Sequence, residues 1–342
     1  MSHKRQNILT PLVAKDNIDY IIINDDDDKF DARLQFLQGT YQVSYQKIEV
    51  NTTYTHANTN SQTQKASYAF DTYVDFVNRI DLVLPNPDNL PLNKIIKSIT
   101  TKVGEQQLDK IGSASESFDI ETMIKTDCAL FNRKLSHVNG KTFVPLNLAP
   151  MYNHNLMNTR IEDQEFIIDV EYTSDYNASG VELYGNVYIL NNFDYKRTCM
   201  REYSFYTIQH QHARIEQLEY GKGAFLLGFQ NPVYVMYFWG FDKTKVTNIR
   251  ICINGHVFYN GSAEALEHYK LSRGYDVEPM MFFFSQDEFH KPTRCTVNFS
   301  KFDSVVLYIQ SEQKEPCNVN IVGLSLQHVT FTPWEVVLSN PI

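Results

Sequence analysis

The apolar runs of this chain are mostly short, are punctuated by turn-forming residues, and lack long helical periodicity. Tyr41, Val43 and Tyr45 alternate with polar neighbours and lead into Ile48 and Val50, and the denser run Tyr73–Leu84 ends at Pro85, Asn86 and Pro87. Similar runs recur at Ile95–Val103, Phe166–Tyr172, Val181–Leu190, Tyr203–Ile208, Ala224–Phe229, Val233–Phe238, Val246–Ile253, Met280–Ser285, Thr293–Phe299, Ser304–Gln310 and Val319–Phe331. Segments of this length, rich in Val, Ile, Tyr, Phe and Thr and bounded by Gly, Pro, Asn and Asp, read as strands. Only Ser115–Thr126 and Ala263–Tyr269 carry the spacing of short helices. The expected class is all-β with few short helices.

Size divides this pattern in two. An eight-stranded sandwich with strands every 8 to 12 residues takes about 65 to 95 residues before its longer loops. The chain has 342 residues, and 43% of them are hydrophobic, enough to fill two such cores without disulfide staples. Two consecutive eight-stranded sandwiches are expected, at 40–176 and at 177–342 with a C-terminal tail. The join is placed in the polar stretch Thr173–Gly180. No internal sequence repeat accompanies the division.

Residues 1–39 differ from the rest. A polar start leads through Ile21, Ile22 and Ile23 to Asp25, Asp26, Asp27, Asp28, Lys29, Phe30 and Asp31. The carboxylates repel one another, so this reads as a solvated acidic arm, ordered only by a neighbour. A calcium loop would need spaced oxygen ligands and a Gly at the sharp turn, and no Gly occurs there.

Charge and composition exclude several functions. With 40 acidic against 31 basic residues the chain lacks the clustered Lys and Arg of a phosphate-backbone binder, so direct nucleic-acid binding is not expected. The first twenty residues lack the apolar stretch of a signal peptide, and the longest apolar run, Val233–Gly240, falls short of the roughly 20 residues that span a bilayer. A soluble protein outside the secretory pathway is expected. Cys128, Cys199, Cys252, Cys295 and Cys317 are odd in number and widely spaced without a CxxC pair, which suits a reducing compartment and core positions.

Residues capable of chemistry do not assemble into a recognisable site. His210 and His212, two apart, would share one face of a strand, but a zinc centre needs further ligands and groups that hydrogen-bond to those ligands and orient them. No GxSxG elbow accompanies the Ser, His and Asp residues. The stretch Tyr220-Gly221-Lys222-Gly223-Ala224 lacks phosphate-loop spacing and reads as a turn. The pairs Asp287/Glu288 and Glu162/Asp163 sit in polar connectors. No catalytic, cofactor-binding or metal-binding residues are assigned, no cofactor is expected, and an enzyme is not. Matches to N-x-S/T at Asn51, Asn177, Asn260 and Asn298 read as chance. The block Tyr234–Phe241 is apolar on both faces, which fits a strand buried on both sides or one facing another subunit.

The order of segments carries a resemblance. Asn78-Arg79-Ile80, Asn93–Ile99 and Val103–Lys110 resemble the first jelly roll of the major capsid proteins of large eukaryotic nucleocytoplasmic DNA viruses. Phe143-Val144-Pro145-Leu146 is similar to the family's Y-V-P-L segment, and Phe166–Tyr172 to its closing strand. Further on, Val187–Leu190 with Asp194–Arg197, Phe229–Val233, Ile253–His256 and above all Phe284–Asp303 resemble family segments in family order. The turn His290–Arg294 lacks the family's usual Gly.

The resemblance implies a double jelly roll whose two sandwiches stand side by side. It further implies homotrimers of pseudo-hexameric outline that tile an icosahedral virion shell as a late structural protein assembled in the host cytoplasm. Implied partners are the chain itself, neighbouring trimers, and minor capsid and penton proteins, with an internal membrane nearby. Alternatives are a minor capsid or scaffold protein of the same fold, a virion-surface glycan or receptor binder using aromatics of Tyr259–Tyr275, and a cupin-like metalloenzyme using His210 and His212.

Overall fold

A computed structural model describes residues 41–56, 63–70, 76–112, 119–146, 157–158, 165–190, 203–212, 216–284, 297–331 and 336–339. The acidic arm, the pairs Asp287/Glu288 and Glu162/Asp163, Cys199, Cys295 and most of Phe284–Asp303 lie outside the described residues. No helix among the described residues is long and apolar enough to cross a membrane.

The chain opens with β1 (Tyr41–Ile48), β2 (Val50–His56), β3 (Thr63–Phe70), β4 (Phe76–Pro85), β5 (Ile96–Val103) and β6 (Gln106–Gly112). Helix α1 (Ile120–Leu130) precedes β7 (Ser136–Val138), β8 (Lys141–Pro145), β9 (Met157–Asn158), β10 (Phe166–Thr173) and β11 (Glu182–Leu190). These strands form two antiparallel sheets, ordered β1-β11-β4-β8-β7, with β9 beside β4, and β2-β3-β10-β5-β6. Taking β1, β3, β4, β5, β6, β8, β10 and β11 as strands one to eight, the orders are 1-8-3-6 and 2-7-4-5. This is a jelly roll, in which the long return connections place the last strand beside the first.

The second half follows the same plan. Its strands are β12 (Tyr203–His212), β13 (Glu216–Leu218), β14 (Lys222–Leu226), β15 (Pro232–Trp239), β16 (Val246–Ile253) and β17 (His256–Gly261). Helix α2 (Ala263–Ser272) precedes β18 (Met280–Phe283), β19 (Val297–Asn298), β20 (Val305–Ser311), β21 (Cys317–Phe331) and β22 (Val336–Ser339). One sheet is β12-β21-β15-β18, with β13 and β22 on β21 and β19 on β15; the other is β14-β20-β16-β17. Renumbering the eight main strands again gives 1-8-3-6 and 2-7-4-5. Each roll also carries one helix between its fifth and sixth strands. The expected double jelly roll is what the chain forms, and the duplication lies in topology rather than in sequence.

The expected join at 176/177 has to be moved. β11 follows it in sequence, yet pairs in register with β1, from Tyr41↔Leu190 to Ile48↔Leu183, and with β4 on its other edge. A cut at 177 would remove the strand that closes the first sandwich. Contacts accordingly place β11 in one compact unit with β1 to β10, and β13 to β20 in the other. Polarity at Thr173–Gly180 marks a turn inside the first roll, where the Val181 amide donates to the Ala178 carbonyl.

Within each strand, alternation explains the packing. On β10, Phe166, Ile168, Val170 and Tyr172 are buried against the core and Ile167, Glu171 and Thr173 face away. The Tyr68 and Tyr172 hydroxyls share one hydrogen bond of 2.8 Å inside that core, and burial raises both phenols above their ordinary range. α1 starts where Asp119 Oδ1 accepts from the Glu121 and Thr122 amides, and runs on to Leu130 because Met123, Ile124, Cys128 and Leu130 are all buried. α2 starts at Ser262, whose Oγ accepts from the Ala265 amide.

Two outward-facing carboxylates of the first roll are clasped by cations. Asp169 lies 2.9 Å from Lys65 and 2.6 Å from Lys102 and accepts from Ser67 Oγ; Glu182 lies between Lys47 and Lys141. Burial would raise the Asp169 carboxyl, but the hydrogen bonds from Lys102, Ser67 and Lys65 outweigh it and hold it below the usual carboxylate range. The Glu182 carboxyl is lowered by hydrogen bonds from Lys47 and Lys141. A depressed folded pKa contributes stability above the unfolded value of about 4 that is lost as the pH falls through the folded one. The melting temperature is therefore expected to fall between pH 5 and pH 3. Asp169→Asn, which has no such proton to bind, should show a drop smaller by about 2 to 4 °C in a calorimetric series, the size of a ~1 kcal/mol contribution.

Candidate functional site

Among the described residues, several positions that held some chemical promise do structural work. On β12, His210 is buried, while the neighbouring amides are committed to bonds. Gln211 Nε2 donates to Ser325 Oγ at 2.8 Å, and its Oε1 accepts from the Gln230 amide; Asn231 Nδ2 donates to Gln209 Oε1. This amide ladder ties β12 to β21 and to the start of β15. No group of three or more His, Cys, Asp and Glu able to hold a metal occurs among the described residues. The cupin-like reading therefore gains no ligand set from them.

Tyr220 and Gly221 form a two-residue hairpin turn between β13 and β14, with φ of 46° and 75°. The Lys222 amide donates to the Glu219 carbonyl, and Ser311 N donates to the Gly221 carbonyl at 2.7 Å. A Cβ on Gly221 would come within 2.0 Å of the Ser311 carbonyl oxygen, so the Gly is needed for close approach as well as for φ. As expected, the stretch is a turn.

The block Tyr234–Trp239 is buried within the single chain on both faces, from 0% exposure at Tyr234, Val235, Met236, Tyr237 and Phe238 to 5% at Trp239. The reading of one face as a subunit surface is thus corrected for these residues. The aromatic segment Tyr259–Tyr275 is in part committed to packing, with Tyr269 left 39% exposed. Its middle is α2, Tyr259 packs edge-on against Phe282 at 4.9 Å, and Tyr275 stacks on Phe283. Among the N-x-S/T matches, Asn298 Oδ1 is engaged by the Ser300 amide and hydroxyl, and Asn260 Oδ1 accepts from Asn248.

Two charged constellations were not legible in the sequence. In the first roll, Arg133 Nη2 donates to Asp81 Oδ1 at 2.7 Å, and the Tyr45 hydroxyl donates to Asp81 Oδ2 at 2.9 Å. In the second, Lys270 of α2 is fully buried and donates to the Val277 and Pro279 carbonyls while pairing with Glu267 at 2.8 Å. Lys270 thereby pins the chain leading into β18. Both are internal braces, because every group is held by a neighbour in the same roll.

What remains is surface, and one sheet face stands out. On the outward face of β14-β20-β16-β17, register aligns Leu226 with Val306, Val306 with Cys252 and Cys252 with Val257. This apolar row crosses all four strands; its ends, Leu226 and Val257, are 60% and 58% exposed, Val306 is half-buried and Cys252 is buried. The next row is Ala224, Tyr308, Arg250 and Asn260, with the Arg250 guanidinium 4.6 Å from the centre of the Tyr308 ring. Lys222, Gln310 and Asn248 follow. The topologically equivalent sheet of the first roll presents Ser67-Asp169-Thr100-Lys110 and Lys65-Glu171-Ser98 instead. An antiparallel sheet with one face on the core normally turns a polar face to water. Since the same topology carries a charged face in one roll and an apolar row with only cationic charge in the other, the row is not a requirement of the fold.

No family model matches the sequence, and no curated protein does. Solved structures do match. The PBCV-1 virus capsid, described as a quasi-atomic model, aligns with a TM-score of 0.67 at 12% identity over 88% of this chain and 97% of its own. The Faustovirus major capsid protein aligns at 0.60 with 9% identity, covering 84% of this chain and 90% of its own. The major capsid protein P2 of bacteriophage PM2 aligns at 0.53 with 10% identity, covering 83% and 98%. At such identities the likeness is one of fold, and it extends across both rolls. Two eight-stranded rolls of one topology, aligned along nearly the full length of these chains, give this protein the double jelly-roll fold of viral major capsid proteins.

Proposed function

We propose that this chain is a structural capsid protein that acts without catalysis, as homotrimers of near-hexagonal outline that pack into an icosahedral shell. The observation that carries the reading is the repeated strand order 1-8-3-6 and 2-7-4-5 in one chain, in a fold shared with viral major capsid proteins. Three copies of a chain with two like rolls supply six like units around a threefold axis. Cyclic contacts between identical copies are heterologous, one surface meeting a different one, and ring closure stops growth at three. Neighbouring trimers, minor capsid and penton proteins are the partners of such a tile, the virion shell is its location, and host cytoplasm its place of assembly late in infection.

Electron microscopy of the purified full chain tests this. Class averages with a hexagonal outline and threefold symmetry are expected. Particles the size of one chain, or rings of another order, would overturn it.

A further inference from the structure

The apolar row on β14-β20-β16-β17 has a chemical complement within this same sequence. Along β20 the outward positions are Val306 in the apolar row, Tyr308 beside Arg250, and Gln310 between Lys222 and Asn248. Arg250 on β16 and Lys222 on β14 therefore flank a track over β20, and no Asp or Glu projects from these rows. The N-terminal arm reads Ile21-Ile22-Ile23-Asn24-Asp25-Asp26-Asp27-Asp28, apolar first and then acidic.

The spacing matches as well as the order. Rows on a sheet face recur every two residues, about 7 Å along the strand, and an extended chain advances about 3.3 Å per residue. With Ile23 over Val306, Asp25 falls at the row of Arg250 and Asp27 at the row of Lys222. The twelve residues between Asp28 and Tyr41 span up to about 40 Å, enough for the arm to leave the roll on which β1 begins.

We propose that residues 21–28 of a neighbouring copy dock on the outward face of β14-β20-β16-β17, with Ile23 on the Leu226–Val306–Val257 row and the Asp run between Arg250 and Lys222. An arm and a sheet face are two different surfaces, which is what a heterologous contact between identical copies requires. The neighbouring origin of the arm rests on the trimer reading; the pairing of arm and face does not.

The test is hydrogen–deuterium exchange of the full chain, read at residues 18–31, with the oligomer mass measured separately by light scattering. Slow exchange of the arm is expected in the wild type, with protection falling about tenfold or more, equivalent to about 1.4 kcal/mol, in Val257→Asp and in Arg250→Glu. Thr100→Asp, on the equivalent face of the first roll, should leave it unchanged. Replacing Asp25 by Lys should restore protection to Arg250→Glu, a rescue that a misfolded variant would not show. A photo-reactive residue at position 257, in a mixture of light and isotopically heavy chains, should yield light–heavy cross-links to the arm. Trimers whose arm protection ignores the face variants would overturn the docking and leave the trimer intact. Monomers with a face-dependent, intrachain arm cross-link would overturn the trimer and the neighbouring origin while keeping the pairing.

Discussion

Phe238→Ala is expected to lower stability by about 3 to 5 kcal/mol, measured as a shift of the urea midpoint at unchanged slope. Phe238 sits at 0% exposure in β15, the central strand of its sheet, paired to β21 on one edge and β18 on the other. Its ring belongs to the core that includes Phe225, Ile249, Ile251 and Leu307, and it lies 6.0 Å from Phe241. Removing the ring loses its transfer free energy and leaves a cavity that strands held on both edges cannot collapse to fill. Phe238→Leu, which keeps much of the volume, should cost less than half as much.

Arg133→Met is expected to be comparably damaging for the opposite reason. Asp81 is 13% exposed and its carboxyl is raised by burial, an effect countered by Arg133 and Tyr45. Without the guanidinium an ionised carboxylate is left largely desolvated, a loss of about 3 to 5 kcal/mol, and the Leu146 and Ile80 carbonyls lose a donor. The carboxyl should then rise further. A carboxyl raised in the folded state destabilises at pH above its value and is relieved by protonation, so the deficit of Arg133→Met should shrink as the pH is lowered from 7 to 5. Adding Asp81→Asn should recover much of the loss at pH 7. Urea titrations of the two single variants and the double variant at both pH values measure the coupling.

Most of the strand framework was legible because strand signals are local. Val246–Ile253 and Phe166–Tyr172 carry their β-branched and aromatic residues, and their terminators, within a few positions, and the structure places β16 and β10 there. β3 and β6 escaped notice. Thr63–Phe70 presents Ala66 inward between Lys65 and Ser67, and Gln106–Gly112 offers Leu108 and Ile111 among polar residues, so neither run is apolar enough to read alone. Both are strands because neighbours pair with them: β3 with β2 and β10, and β6 with β5. The unit boundary was misplaced for a related reason. The polar turn before β11 is a local feature, whereas the pairing of β11 with β1 joins residues about 140 positions apart.

The candidate surface was less legible still. Leu226, Cys252, Val257 and Val306 come from four strands and become neighbours only through register. No window of sequence contains the row, and within β14 the outward Leu226 looks the same as the inward Phe225. The Asp81–Arg133 and Lys270–Glu267 braces differ in the same way. The second pair is three residues apart on one helix and could be read as an ordinary surface pair, yet the structure buries Lys270 completely.

The central claim is that two like rolls in one chain serve as a third of a closed tile. Multi-angle light scattering of the purified full chain, over a hundredfold range of concentration, tests it most directly. A particle of three chain masses that persists on dilution is the expected result. A single chain mass at every concentration, or a stable particle of two or four chains, would contradict it.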